Sequence, residues 1–405
     1  MSTLSPLPAC RTESHRKRNR LEHFFATCPR GLETVLADEL QTLGAQSVKT
    51  TDGGVAFAGT MTAAYRTNLD SRVASRVLWR VGESRYRSDE DIFKAARRLR
   101  WGQWFTASQT IRVDTAAIKS PLRSIDIVTL RVKDAVCDVL REAEGKRPDV
   151  DTRNPDVRIH VFLTKDTATF YLDTSGEPLF KRGWRGMTGD APLRENLAAG
   201  ILKLAGWTPD QVLLDPMCGS GTFLIEAAMM ALKRAPGAKR SFGFERLRNY
   251  DAAAWKRLQS EAAARENNSI KSMIYGYDRS GDAIVIARDN VARAGLDAFI
   301  QLKQCQFEDS SPPAPNGILI TNPPYGVRME EADELAAWYP TLGDILKQRY
   351  AGWTAHIFTG DLRIAKLMRL KPSRKVPLFN GAIECRLFKY EIVAGSNRKE
   401  AATNQ

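Results

Sequence analysis

The chain has 405 residues, with 60 Lys and Arg against 47 Asp and Glu, for a formal charge of +13. That length allows two or three domains, and the basic balance favours a polyanionic partner through counterion release at phosphates. No run of 18 apolar residues and no signal-peptide pattern occurs, which argues against membrane spans and predicts a cytoplasmic protein; six cysteines without a C-x-x-C pair and four scattered histidines predict reduced thiols and no metal site.

Residues 1–20 are polar, carry Arg11, Arg16, Lys17, Arg18 and Arg20, and show no apolar periodicity, so a disordered basic arm is expected. His23 to Cys28 reads as a strand. A helix follows Arg30-Gly31, with Leu32, Val35, Leu36, Leu40 and Leu43 at helical spacing. Asp52-Gly53-Gly54 is a hairpin signal between Ser47 and Ala58. From Ala63 to Leu172, Arg72 to Val81 is apolar and basic, Asp89 to Arg100 is a helix with a cationic end, and Trp101 and Trp104 follow it. Thr110 to Thr115 alternates as a strand, Ser124 to Ala143 is a long helix, and Val157 to Leu163 and Ala168 to Leu172 form a hairpin around Lys165-Asp166. His160 alternates with Val157, Ile159 and Val161 and reads as a surface strand residue.

Ser175 to Arg185 is a linker dense in cations and glycine, and Pro192 opens a helix over Leu193 to Leu204. Beyond it strands and helices alternate: strand 211–215, helix 222–232, strand 273–278, helix 281–294, strands 299–305 and 317–321, helix 332–348, strand 354–359, helix 361–369, and a closing hairpin of 375–379 and 382–392. A basic insertion between 233 and 272 carries Trp255 and reads as a helix plus loop. This alternation implies an α/β domain with a mostly parallel sheet covered on both faces.

Two stretches carry chemistry. In Leu213-Leu214-Asp215-Pro216-Met217-Cys218-Gly219-Ser220-Gly221-Thr222, a short buried strand runs through a glycine loop into a helix, whose first N–H groups and dipole face a ligand. The loop lacks the Gly-Lys-Ser/Thr of a P-loop, and Leu224 stands where a dinucleotide fingerprint needs glycine. Asp215 beside the glycines would repel a pyrophosphate but suits an ammonium group, and Asp278 at the end of the next strand is placed to hold a ribose. S-adenosylmethionine has the ammonium and the ribose and no phosphate. The second stretch is Thr321-Asn322-Pro323-Pro324-Tyr325-Gly326, where two prolines force the chain out of the sheet at a strand's C-terminal edge. The Asn322 side-chain oxygen and the Pro323 carbonyl are suited to accept the two N–H bonds of an exocyclic amine and turn its lone pair towards a methyl donor. Pro324 stiffens the loop and Tyr325 offers a ring for a flipped base.

Together these motifs resemble the class I S-adenosylmethionine-dependent methyltransferases of the amino type. The preceding Ser175-Gly176-Glu177-Pro178-Leu179-Phe180-Lys181-Arg182-Gly183-Trp184-Arg185 and Ala191-Pro192-Leu193-Arg194-Glu195-Asn196-Leu197 narrow the resemblance to THUMP-domain RNA methyltransferases of the RlmL type, over about His23 to Val393. The resemblance implies a Rossmann-like domain with a mostly parallel seven-stranded sheet over 176–393, preceded by an α+β ferredoxin-like region (21–62) and a THUMP RNA-binding region (63–175), with a disordered tail at 394–405. It implies N2-methylation of guanine in 23S rRNA. The donor would be held by Asp215, Met217, Cys218, Gly219, Ser220, Gly221, Thr222, Asp278, Arg279, Gln306 and Phe307. Arg182, Arg185 and Arg328 become RNA contacts, with Arg182 and Arg185 alternatively bracing the donor site. Gln306 stands where the family often has aspartate, and Val327 where it has glutamate. Rival readings are a methylase of transfer RNA or of DNA adenine or cytosine, and a non-catalytic RNA-binding assembly factor.

Overall fold

The computed structural model describes residues 21–186, 193–324 and 329–393. The basic arm, the C-terminal tail, Pro192, Tyr325 and Arg328 lie outside the described residues. The chain forms two compact units, each discontinuous in sequence. The first holds the described residues up to Cys28, Ala37–Leu179 and Arg240–Glu261; the second holds Pro29–Leu36, Phe180–Lys239 and the described residues from Ala262 onward.

In the first unit the strands are β1 (Glu22–Thr27), β2 (Gln46–Thr51), β3 (Gly54–Gly59), β4 (Arg76–Arg85), β5 (Ile111–Ala117), β6 (Val157–Leu163) and β7 (Thr167–Asp173). They form a single sheet in the order β2-β3-β1-β4-β7-β6-β5, antiparallel except for β5 with β6. Gly53, at φ +78°, makes the β2–β3 turn. The helices are α1 (Glu33–Thr42), which runs from the second unit into the first, α2 (Met61–Asp70), α3 (Asp89–Arg98) and α4 (Ile125–Glu144). A capping box of Ser88 and Asp91 starts α3, and Arg97 and Arg98 close it, each suited to its end of the helix dipole. The polar-looking α2 was not expected. Tertiary bonds hold it: its buried Asn68 donates to Thr174 Oγ1 (2.9 Å) and accepts from Ser175 Oγ (2.6 Å).

The second unit contains β8 (Leu213–Asp215), β9 (Ile274–Asp278), β10 (Ile300–Gln304), β11 (Gly317–Thr321), β12 (Trp353–Thr359), β13 (Arg374–Asn380) and β14 (Ile383–Glu391). Their order is β10-β9-β8-β11-β12-β14-β13; the first five run parallel, and β14 is antiparallel to both its neighbours. Its helices are α5 (Glu195–Ala205), α6 (Thr222–Ala231), α8 (Gly281–Ala294), α9 (Met329–Arg349) and the four-residue α10 (Ile364–Leu367). The last was expected over 361–369; it starts only at Ile364, and at its end Arg369 turns to φ +54° and stops it. The strand order reverses between β8 and β11, and in open α/β sheets such a switch point opens a ligand crevice at the C-terminal strand ends. Leu214, Leu319, Tyr339, Trp353, Ile357 and Phe388 pack as one core under it.

The basic insertion forms α7 (Ala252–Ala264), and its residues 240–261 belong to the first unit. There Phe244 stacks on Tyr65 at 4.1 Å between centroids, Trp255 meets Phe244 edge-on at 5.1 Å, and Arg240 donates to the carbonyls of Pro178 and Ser175.

Candidate active site

Both chemical motifs end at the C-terminal edge of neighbouring strands, β8 and β11. Asp215 closes β8 and is only 2% exposed. Its Oδ1 accepts from Thr321 Oγ1 at 2.9 Å and from the Met217 N–H at 3.2 Å. Burial dominates over those two bonds and, helped by the charge of Asp278, pushes the Asp215 carboxyl up to about 7. Thr321 immediately precedes Asn322, so this bond ties the two motifs together. Asn322 is half-buried, Pro323 buried and Pro324 exposed. The Asn322 Oδ1 is shielded from solvent and has no hydrogen-bond partner among the described residues.

The glycine loop folds back on β9. Cys218 N–H donates to the Tyr277 carbonyl (2.8 Å), Gly219 N–H to Asp278 Oδ2 (2.9 Å), and Gly221 N–H to the Cys218 carbonyl (2.8 Å). Gly221 sits at φ +80° as the residue before α6, a conformation that a side chain would strain. The other oxygen of Asp278 accepts from Ser280 N–H at 2.9 Å, so two backbone donors fix this carboxylate. Burial, then the charges of Asp215 and Asp278, raise the Cys218 thiol well above its usual range. Met217 is half-buried against the core. Arg279 and Gln306 are exposed near the end of the β9–β10 pair. Phe307, expected against an adenine ring, is 4% exposed and stacks on Tyr350 at 5.8 Å, so the core takes its ring.

The linker cations differ from the expectation of RNA contacts. Arg182 is buried, with its Nε 3.3 Å from Glu226 Oε1 in α6; the two side chains are 1% and 0% exposed. Arg185 braces the donor loop. Its guanidinium donates to Glu195 Oε1 (2.7 Å), Thr222 Oγ1 (2.9 Å), Ser220 Oγ (3.2 Å) and the Leu193 carbonyl (3.1 Å). Next to it Gly186 N–H donates to Asn290 Oδ1 (3.0 Å), and Asn290 Nδ2 donates to the Ser220 carbonyl (3.1 Å). Thus 185–186 clamp the loop at Ser220 from two sides. A cleft of about 640 Å³ lies beside this brace and not over the glycine loop; Arg185, Arg194, Phe180, Asn380 and Ile383 line it.

Sequence reasoning missed Thr321, Glu195 and Asn290. Asn290 carried a signal: it lies on the stripe of Ile284, Ala287, Val291 and Ala294, where a buried amide needs partners. Among the described residues no cluster of three His, Cys, Asp or Glu side chains could hold a metal ion, and no helix is long and apolar enough to cross a membrane.

A parallel sheet reversed at its centre, a glycine loop between two carboxylates and an Asn-Pro-Pro edge define a methyltransferase-type α/β domain. Comparison with known proteins is specific. Residues 182–389 match the RMKL-like methyltransferase domain, 86–173 the THUMP domain and 23–78 the RlmL ferredoxin-like domain. The chain belongs to the RMKL-like methyltransferase family. It is 42% identical to the ribosomal RNA large subunit methyltransferase K/L of Syntrophotalea carbinolica, over 91% of this chain and 53% of that protein. The chain spans about half the length of the curated K/L relatives it matches. Among solved structures, SMU.472, determined with SAH, superposes with a TM-score of 0.84 at 32% identity, covering 93% of this chain and 100% of that one. A possible methylase from Clostridium difficile 630 superposes with a TM-score of 0.85, also at 32% identity and with the same coverage.

Proposed function

We propose that this chain transfers the methyl group of S-adenosylmethionine to the exocyclic N2 of a guanine in RNA, with 23S rRNA as substrate, and that it works in the cytoplasm. The observation that carries the reading is the buried Asn322 Oδ1, which has no partner among the described residues and stands beside the loop of Asp215. A buried acceptor left without a bond costs on the order of 1–3 kcal/mol, and an amine N–H docking there would relieve it.

The residues fit that donor. Two carboxylates suit the ammonium of a ligand without phosphate, the positive end of α6 suits that ligand's own carboxylate, and a Cβ placed on Gly219 would meet nothing within 4 Å, so the loop is open on that side. Asp278 would take the ribose hydroxyls, Asp215 the ammonium side, and Met217 to Thr222 the body of the ligand, with Gln306 and Arg279 at its rim. When bound, S-adenosylmethionine supplies an electrophilic methyl group. The chain's own part is orientation: Asn322 Oδ1 and the Pro323 carbonyl accept the amine N–H groups and aim the lone pair, and the proton leaves to water afterwards. Orientation of this kind can supply about 7–11 kcal/mol of the barrier in favourable cases. The THUMP match and the names of the relatives support RNA, and ribosomal RNA in particular.

The test is a methyl-transfer assay with 23S rRNA from a strain lacking the protein, digested to nucleosides and read by mass spectrometry. New N2-methylguanosine is expected. A protein that binds the donor yet leaves this RNA unmethylated refutes the substrate assignment.

A further inference from the structure

The sheet of the first unit has one face whose residues are buried and another that is partly open. On the buried face Phe24, Val77, Trp79, Phe170, Leu172, Ile159 and Val161 alternate along their strands. Between them, pointing the other way, stand His23 and Phe25 on β1, Arg80 on β4, Tyr171 on β7, and His160 on β6. The register places Arg80 opposite Tyr171 and Tyr171 opposite His160, while Phe25 lies opposite Ala56, which in turn lies opposite Lys49. Phe25 and Tyr171 are half-buried, with centroids 6.5 Å apart and planes tilted by 50°, so neither ring stacks on the other. They flank a groove of about 170 Å³ rimmed by His23, Ser47, Lys49 and Arg80. His23, Ser47 and Lys49 are exposed. Arg80 pairs with Glu83 at 3.3 Å on the surface, a contact worth little in water.

We propose that this groove is a stacking site for an unpaired base of single-stranded RNA, with Phe25 and Tyr171 as the platform and Lys49 and Arg80 receiving the flanking phosphates. The proposal rests on the RNA reading of the function and adds a place and a form for the RNA. The chemistry matches. Aromatic rings on an open sheet face take any base by its π-face, and cations beside them track the backbone. Small Ala56, between Phe25 and Lys49, leaves room for a single base. The groove is built from side chains of β1, β2, β3, β4 and β7, so it belongs to the sheet as a whole and not to one loop.

The experiment uses the full chain, fluorescence anisotropy and two probes: a short single-stranded RNA and a blunt RNA duplex. Phe25→Leu with Tyr171→Leu keeps an apolar side chain at each position but removes both π-faces. Single-strand affinity should fall by about tenfold or more, since base–aromatic stacking contributes strongly per base. Duplex affinity should stay within about twofold, because paired bases offer no face. Lys49→Gln, on the exposed rim, guards against misfolding of the double variant; it should weaken single-strand binding and lower the salt slope by about one. Ultraviolet crosslinking should join the RNA to peptides holding Phe25 or Tyr171. Unchanged single-strand affinity in the folded double variant, with the wild type binding normally, overturns the platform and leaves the RNA reading standing. A wild type that binds neither probe overturns both.

Discussion

Replacing Arg185 by Met keeps the length of the stem and removes every donor of the brace. Glu195, whose side chain is 5% exposed, then loses the cation 2.7 Å away, while Arg185 itself is 16% exposed. Removing one partner of a buried ion pair costs about 3–5 kcal/mol, and the residual exposure of Arg185 places this case at the lower end, about 3 kcal/mol. For a domain of this size that corresponds to a fall in Tm of about 6–12 °C. The lost bonds to Ser220 and Thr222 act differently, because they hold the loop in the shape that receives the donor. At about 1 kcal/mol each they predict a Kd for S-adenosylmethionine raised roughly 30-fold. Arg185→Met with Glu195→Leu separates the two effects: the apolar pair should recover most of the stability and none of the donor affinity. Circular dichroism on heating and calorimetric titration of the donor give both numbers. A folded Arg185→Met protein whose donor Kd stays within about twofold of wild type, but whose RNA affinity drops tenfold, would refute the brace and return Arg185 to the RNA.

Other outcomes follow from the same geometry. Asn322→Ala should abolish methyl transfer while donor titration changes little; near-wild-type turnover would sink the Asn-centred mechanism. Arg182→Met should lower Tm by several degrees and leave RNA affinity unchanged, because the side chain is 1% exposed against Glu226. The Asp215 carboxyl is raised from 3.8 to about 7 in the folded chain, so the folded state holds an extra proton between those values. Stability from this group is therefore present below pH 4 and lost as pH rises through 7, at up to about 1.4 kcal/mol per pH unit. Thermal scans of the donor-free protein should show that slope from pH 5 to 7 and level off above it, and Asp215→Asn should flatten it; the same slope in the variant would assign it elsewhere.

The centre of the second unit was legible in the sequence because Leu213–Asp215, Ile274–Asp278, Gly317–Thr321 and Trp353–Thr359 are short, mostly apolar runs. The helix Gly281–Ala294 starts at Ser280, whose hydroxyl accepts the Ala283 N–H, and stops at Gly295 with φ +67°, and its limits could be read directly. The glycine loop and Asn-Pro-Pro edge were legible for the same local reason. Pairings between distant residues were not. Arg182 in a cationic linker looks solvated, and only the acid inside the otherwise apolar Thr222–Ala231 helix hinted that Glu226 required a buried cation. Helix Met61–Asp70 has little apolar periodicity, and its buried Asn68 is held by tertiary bonds to Thr174 and Ser175 instead of by an apolar stripe. That the strands before and after Met61–Asp70 share one sheet depends on β4 lying between β1 and β7, which no local pattern encodes.

The interleaving of the two units sets an order on synthesis. A chain emerging from its N-terminus completes β7 at Asp173, yet the ring that stacks on Tyr65 belongs to Phe244, and the first unit gains its last residues only near Glu261. By then the glycine loop and α6 have already been made. Leu32 meets its neighbour Gly200 sooner, but at that point the sheet of the second unit is still missing all of β8 to β14. Neither unit can therefore finish folding as a simple stretch of chain, and a cut between Leu179 and Phe180 would leave Tyr65 without Phe244 and Leu32 without Gly200. Expression of the halves as separate pieces should yield aggregation-prone fragments, whereas co-expressed halves retain the means to complete one another.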